Sequence, residues 1–341
     1  MNLSEIKLEA IEDSITIGKI SDAEYFSKKY SAYVSNSRLG NINPDQGGSP
    51  EKFFTPMSGI FSDSLILGSA VHQQFLQPEF FELVKIERPS AKLGFICDYI
   101  WDHAKNHEIS EEIIVQASDT VDYYKGKLSE KRINDIKEAY SKYYAGRISY
   151  VEKPGIEPMF LGDKMFETAS KCLESCHINK DFTKLMHPDW IDEQPISENE
   201  QAFLLDIKCN FPDRDPIIVR LKAKLDNFVI DFDSNTIIVN DLKTLGSILP
   251  KFDGEEGNFK RFHYHRELAI YLWLLRLYVR KKYGMKNPHM YTNCLVVSTI
   301  PDYRTKVYKV TNKEIDEGFK EFRYLLKLVA YYVGYEGYGL K

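Results

Sequence analysis

Between residues 201 and 240 the chain passes through four short stretches rich in β-branched and aromatic residues, and this is the feature that limits the fold most tightly. Residues 201–207, 217–224, 228–232 and 236–240 all have strand composition. Asp-Ser-Asn at 233–235 supplies a tight turn between the last two. The loop GEEGNFK leads into a helix from about Tyr264 to Tyr283. Strands at 294–299 and 305–310 follow, then an amphipathic helix from Asn312 to about Val333. Such an order predicts an α/β unit in which helices flank a mixed sheet.

The earlier part reads differently. Residues 1–90 form a helical part with short patterns to Val34, then SNSRLG at 35–40 and the turn-rich NPDQGGSP at 43–50. Ser35 or Ser37 caps the next helix in this reading. SLILGSAVHQQFL, residues 64–76, reads as a helix in which Gly68 permits close packing and His72 lies one turn further on. Residues 91–187 form an acidic helical elaboration, with amphipathic spacing in KRINDIKEAYSKYY and KMFETASKCLESC and an interruption at PGIEPMFLG. No biased linker forces a boundary. Residues 1–341 are therefore read as a single domain whose core and last helix occupy 188–341.

Composition removes several classes. A chain of 341 residues, 43% of them hydrophobic, can bury a substantial core. The apolar stretch at 269–279 is broken by Arg276 and falls short of the roughly 20 residues of a membrane span. Glu5, Lys7, Glu9, Glu12 and Asp13 interrupt the start where a secretory signal needs an apolar run, so a cytoplasmic setting is expected. The five cysteines, Cys97, Cys172, Cys176, Cys209 and Cys294, lack a close CxxC pair and read as reduced thiols. Cys172 and Cys176 share a helix face as packing residues. Net charge is -5, but it is divided unevenly: 22 basic against 33 acidic residues precede position 201, and 23 against 17 follow. Phosphate contacts are expected in the second part. No GxxxxGK[ST] loop is present, so no nucleotide cofactor is expected.

The chemistry concentrates at Asp226, Asp241 and Lys243. A strand, a turn and a returning strand separate Asp226 from Asp241, which can bring the two carboxylates onto neighbouring ends of the same sheet. In VNDLKT, Asp241 and Lys243 occupy alternate positions and point to one side, while Leu242 points to the other. Paired carboxylates hold Mg2+ or Mn2+ through hard oxygen ligands; a lysine beside them stabilises charge on an attacked phosphate or orients the water. Taken alone, the DxK spacing equally describes solvated charges at strand ends.

The run KAKLDNFVIDFDSNTIIVNDLKT resembles the core of the PD-(D/E)XK nuclease superfamily, whose fold is a restriction-endonuclease-like mixed sheet flanked by helices. SNSRLG, LGSAVHQQFLQPEFF at 67–81 and YHRELAIY at 264–271 together look like the RecE-type exonucleases and related phage enzymes. The resemblance spans roughly residues 21–341, with little from the acidic region. It implies that Asp226 and Asp241 bind the divalent ion, that the Leu242 main-chain carbonyl joins them, and that Lys243 completes the catalytic motif. It also implies that His72, in the family's early G-x-x-x-H element, approaches the metal or phosphate.

By the same analogy a further carboxylate stands near the start of the first core strand, with Glu200 the first choice and Glu198 the alternative. Where the family carries Q-x-x-x-Y, this chain has Glu267 and Tyr271, four apart and on one helix face. A carboxylate cannot make the amide donations of glutamine, so Glu267 is expected to contact a metal-bound water or a cation. Tyr271 is read as a phosphate contact or as core packing. Lys222, Lys224, Lys260, Arg261 and Arg266 are candidates to line the DNA approach, and Tyr264 to stack on a base or sugar.

The resemblance implies Mg2+-dependent hydrolysis, with Mn2+ as substitute, by a 5′ to 3′ double-stranded DNA exonuclease of recombination or phage DNA metabolism. Double-stranded DNA ends, a single-strand annealing protein and further copies of the chain are the expected partners. An endonuclease of the same fold and an inactive DNA-binding or assembly module are the alternatives.

Overall fold

The computed structural model describes residues 3–55, 62–124, 126–186 and 195–340. Nine strands occur among them: β1 (Lys7–Ala10), β2 (Thr16–Lys19), β3 (Phe81–Lys85), β4 (Glu157–Leu161), β5 (Ile196–Asn210), β6 (Ile217–Asp231), β7 (Thr236–Leu245), β8 (His289–Ser298) and β9 (Thr305–Lys309). The chain divides into two compact units. One comprises Met1–Ser58, Asn179–Val297 and Thr305–Lys341; the other comprises Gly59–Ile178 and Ser298–Arg304. The expected change of character at 187/188 lies outside the described residues.

The first unit is built on a seven-stranded sheet in the order β1-β5-β6-β7-β8-β9, with β2 also paired to β5. β1 and β2 pair antiparallel with β5, as do β5 with β6, β6 with β7, and β8 with β9. Sequence reading expects a break between residues 224 and 228, yet β6 runs unbroken from Ile217 to Asp231. Leu-Asp-Asn carries the polar signature of a turn. It stays in the sheet because Asn227 donates to Asn199 Oδ1 at 2.8 Å and accepts from Asn240 at 2.8 Å, so its burial costs no hydrogen bond.

The β6–β7 turn is where the sequence predicts it. Asp231 Oδ1 accepts the amides of Asp233 (3.0 Å) and Ser234 (3.2 Å), and Asn235 takes the left-handed φ of +49° that asparagine tolerates.

Two helices complete this unit's core. Tyr264–Tyr283 buries residues on nearly all sides, including Leu268, Ile270, Leu272, Leu274, Leu275 and Val279, and ends at Gly284 with φ +69°. A helix apolar all round belongs in an interior. Asn312–Tyr335 is instead one-sided, burying Phe322, Leu325, Leu326, Val329 and Ala330 at the i, i+3, i+4 spacing, and a Thr311–Glu314 capping box starts it. The two helices approach closely at Gly318, where a Cβ would stand 2.1 Å from the His265 carbonyl oxygen.

The second unit holds the helices Asp63–Leu76, Ala91–His103, Glu111–Thr120, Glu130–Ile148 and Asp163–Ile178, with its own cluster of Ile96, Ile100, Ile114, Ile136 and Tyr143. It also contains a parallel pair, β3 with β4, absent from the sequence reading. Glu157–Leu161 pairs with a strand more than seventy residues earlier, so no local turn announces it. All five cysteines are free and buried. Among the described residues no helix is long and apolar enough to cross a membrane.

Candidate active site

The site forms where the β6–β7 ladder opens. Backbone pairing runs from Asp231↔Thr236 to Asn227↔Asn240. Two residues beyond Asn240, the Leu242 N–H donates to Asp226 Oδ2 at 2.7 Å, a side chain taking the amide that the ladder leaves. Asp241, Lys243 and Asp226 therefore gather around one strand divergence. Alternation sends the neighbouring Asn227 and Asn240 to the opposite face. There Asn293 donates to Asn240 at 2.9 Å, Asn240 to Asn227, and Asn227 to Asn199. This amide ladder across four strands fixes their register behind the carboxylates. Part of the sequence signal lies in LDN, which reads as a polar break between two strands, whereas Asn240 of VND reads as the end of a strand.

Lys243 is the hub. Its Nζ donates to Asp241 Oδ1 (3.1 Å), stands 2.8 Å from Asp241 Oδ2, and donates to Glu267 Oε2 (2.8 Å). The Tyr271 hydroxyl donates to Glu267 Oε1 at 3.0 Å, and the Tyr264 ring lies 4.6 Å from the ammonium. Burial would pull Lys243 down, but Asp241 and Glu267 hold its pKa well above the ordinary lysine value. Burial pushes Asp241 well above the usual carboxylate range, against the opposing pull of Lys243. Burial, then the charge of Glu200, raises Asp226 to about 7. Glu267 goes the other way: burial would raise it, yet Lys243 holds it below its ordinary value.

Glu200 lies opposite Asp226, since Asn199↔Asn227 and Gln201↔Leu225 bracket the pair in register. Their carboxylate oxygens are within 4.8 Å of one another. Glu200 has φ +54° inside a strand, a conformation that costs of order 1 kcal/mol or more for a non-glycine residue. Lys224 pairs with Glu200 at 2.6 Å and with the surface residue Asp22 at 2.7 Å.

The residues brought together thus include four carboxylates, on Glu200, Asp226, Asp241 and Glu267, against two ammonium groups, on Lys224 and Lys243. Excess negative charge in a site shielded from water requires a proton or a cation. Asp241 is 1% exposed, and its Oδ2 makes no aligned hydrogen bond among the described residues despite the close ammonium. A buried carboxylate oxygen that accepts no aligned hydrogen bond, beside a second carboxylate, is the donor chemistry that suits Mg2+ or Mn2+. The residues present fit such an ion.

His72 lies on the helix Asp63–Leu76, part of the second compact unit. Several other candidates are committed to partners. Lys222 is 7% exposed, donates to the Tyr25 carbonyl at 2.6 Å, and is lowered by burial to about 8. Arg266 is 2% exposed and gives its guanidinium to Asn36 and Glu321, so it does not face a substrate at the surface. Lys260 pairs with Glu317, Arg261 is exposed, and Glu198 accepts from Gln201 at 3.2 Å. Sequence reasoning missed Lys224 as the partner of Glu200. The i, i+2 spacing of Lys224 and Asp226 was the available signal.

No family model matches the chain, and no curated protein matches it. Among solved structures, the chain is similar to a "putative exonuclease" from Eubacterium rectale, at 13% identity and a TM-score of 0.46, covering 92% of this chain and 86% of that one.

Proposed function

We propose that this protein is a divalent-metal-dependent nuclease that hydrolyses DNA phosphodiester bonds. The buried excess of carboxylates around Lys243, with Asp241 Oδ2 left without an aligned donor, carries the reading. Asp226 and Asp241 would hold Mg2+, or Mn2+ in its place; the sequence resemblance adds the Leu242 carbonyl and His72 to that set. When bound there, the ion would supply Lewis-acid polarisation of a phosphate oxygen and lower the pKa of water.

The chain's own groups do the rest. Lys243 stays an ammonium, because Asp241 and Glu267 hold its proton, and it therefore stabilises negative charge instead of accepting a proton. That charge grows on the phosphate oxygens as water adds to phosphorus and the P–O bond to the leaving oxygen breaks. Glu267 orients Lys243, and Tyr271 orients Glu267. Glu200 orients water at Asp226, itself tethered by Lys224. Arg261 and Tyr264 remain the candidates for DNA contact.

By resemblance the activity is a 5′ to 3′ exonuclease acting on duplex ends, in an oligomer and alongside a single-strand annealing protein. Linear duplex labelled at the 5′ or the 3′ end, compared with a covalently closed circle, tests this. Early release of the 5′ label with the circle intact is expected. Internal cuts would make the protein an endonuclease, and no Mg2+- or Mn2+-dependent cleavage of either substrate would leave the inactive DNA-binding or assembly module.

A further inference from the structure

At the start of helix Tyr264–Tyr283, a second group of ligand-type side chains stands apart from the acidic centre. His263, His265 and Glu321 place one imidazole or carboxylate atom each within 4.8 Å of one another. His265 and Glu267 are two residues apart on the helix, so their side chains project to different faces and do not serve the same ion.

The hydrogen bonding of this group is overfull on one side and empty on the other. Glu321 Oε1 accepts from Asn43 Nδ2 at 2.7 Å and from Arg266 Nη1 at 2.8 Å, which uses both of its lone pairs. His263 Nδ1 nevertheless lies 2.7 Å from that same oxygen and makes no aligned hydrogen bond among the described residues. His265 Nε2 lies 3.2 Å from Oε2. Its other nitrogen, Nδ1, is buried with no hydrogen-bond partner among the described residues, in a residue 8% exposed.

Backbone features hold the three together. His263 occupies the left-handed region at φ +55° as the residue preceding the helix, a conformation uncommon outside glycine that histidine enters more readily than most side chains. Gly318, one turn before Glu321, has no Cβ to collide with the His265 carbonyl, so the C-terminal helix can carry Glu321 to the imidazoles.

We propose that His263, His265 and Glu321 form a binding site for a transition-metal divalent cation of the zinc class. Two imidazole nitrogens and Glu321 Oε2 are the donors; Asn43 and Arg266 hold the carboxylate from outside through Oε1. Tetrahedral coordination at about 2.0–2.1 Å puts neighbouring ligand atoms about 3.3 Å apart; His265 Nε2 already stands 3.2 Å from Glu321 Oε2, one ligand atom of each of the three residues lies within 4.8 Å of the others, and His263 Nδ1, now 2.7 Å from Oε1, has to turn toward Oε2 to complete the set. Two nitrogen donors favour zinc-class ions here, whereas the carboxylate-dominated acidic centre favours Mg2+. Three protein ligands leave a fourth position for water. The bound ion clasps the turn at His263 to the C-terminal helix, and this assignment does not depend on the nuclease reading.

Equilibrium dialysis of the full-length Asp241→Asn protein against Co2+, with absorption spectroscopy, separates this site from the acidic centre. One bound Co2+ with the intense ligand-field bands of a tetrahedral ion is expected. His265→Ala added to that background should weaken binding at least tenfold and abolish those bands. His263→Gln, at the less buried imidazole, should do the same and serves if His265→Ala fails to fold by circular dichroism. Absence of bound Co2+, or tetrahedral bands that survive both replacements, would overturn the assignment.

Discussion

Replacing Asp226 with asparagine should abolish cleavage and at the same time stabilise the metal-free protein. The Asp226 carboxyl is raised from 3.8 to about 7 by burial and by the charge of Glu200. The folded state therefore binds this proton more tightly than the unfolded chain does. Its favourable contribution is complete in acid and is lost as pH rises from about 4 to about 7; above that, holding the group ionised costs the full difference. Three pKa units at about 1.4 kcal/mol each give a cost of about 4 kcal/mol at pH 8, and about 2 kcal/mol at pH 5.

Asparagine carries no charge and keeps an oxygen to accept the Leu242 N–H, so most of that cost should disappear. Thermal or denaturant unfolding in EDTA at pH 5 and pH 8 measures it. The variant should be the more stable protein, by a margin that widens by about 2–3 kcal/mol between the two pH values. Saturating Mg2+ should narrow the gap by stabilising the unchanged protein alone. A variant less stable than the unchanged protein at pH 8, or a margin independent of pH, would refute the argument that Asp226 is a destabilised carboxylate awaiting a cation.

Lys243→Ala should retain divalent-ion binding while turnover falls about 10²–10³-fold, the loss expected for a preorganised charge stabiliser; single-turnover rates beside Mn2+ titrations check it, and unchanged turnover excludes that role. Glu267→Gln should keep more activity than Glu267→Ala, because glutamine still offers an oxygen to Tyr271, and equal normal rates would make Glu267 a peripheral charge. Asn240→Leu breaks the amide ladder at its centre, stranding Asn293, Asn227 and the Leu185 carbonyl, and should cost about 2–4 kcal/mol in denaturant unfolding; a loss below about 0.5 kcal/mol would show the ladder to be dispensable.

What the sequence discloses follows from the range of its signals. The helix at Tyr264 to Tyr283 is legible because Gly284 marks its stop and apolar residues fill its length; the turn at 233–235 is legible because Asp and Asn carry their own turn chemistry. Asp241 and Lys243 are legible as a pair because strand alternation is a two-residue rule. Long-range events are not legible. Polar residues at Asp226 and Asn227 imitate a loop unless their cross-strand partners are known, so β6 looks like two strands. Lys224 and Arg266 look like free surface cations until Glu200 and Glu321, from other elements, are seen to claim them. The same distance hides β3–β4 pairing and the meeting of His263 with Glu321.

The central claim is that Asp241 belongs to a metal-dependent hydrolytic site, and one paired measurement tests it most directly. Cleavage of linear duplex DNA by the unchanged protein and by Asp241→Ala would be followed across a Mg2+ titration beginning in EDTA, with DNA affinity measured on the same samples. The expected result is no cleavage in EDTA, recovery with Mg2+ in the unchanged protein only, and DNA affinity that stays within a fewfold in the variant. Cleavage that persists in EDTA, or an Asp241→Ala protein that cuts at the unchanged rate, would contradict it.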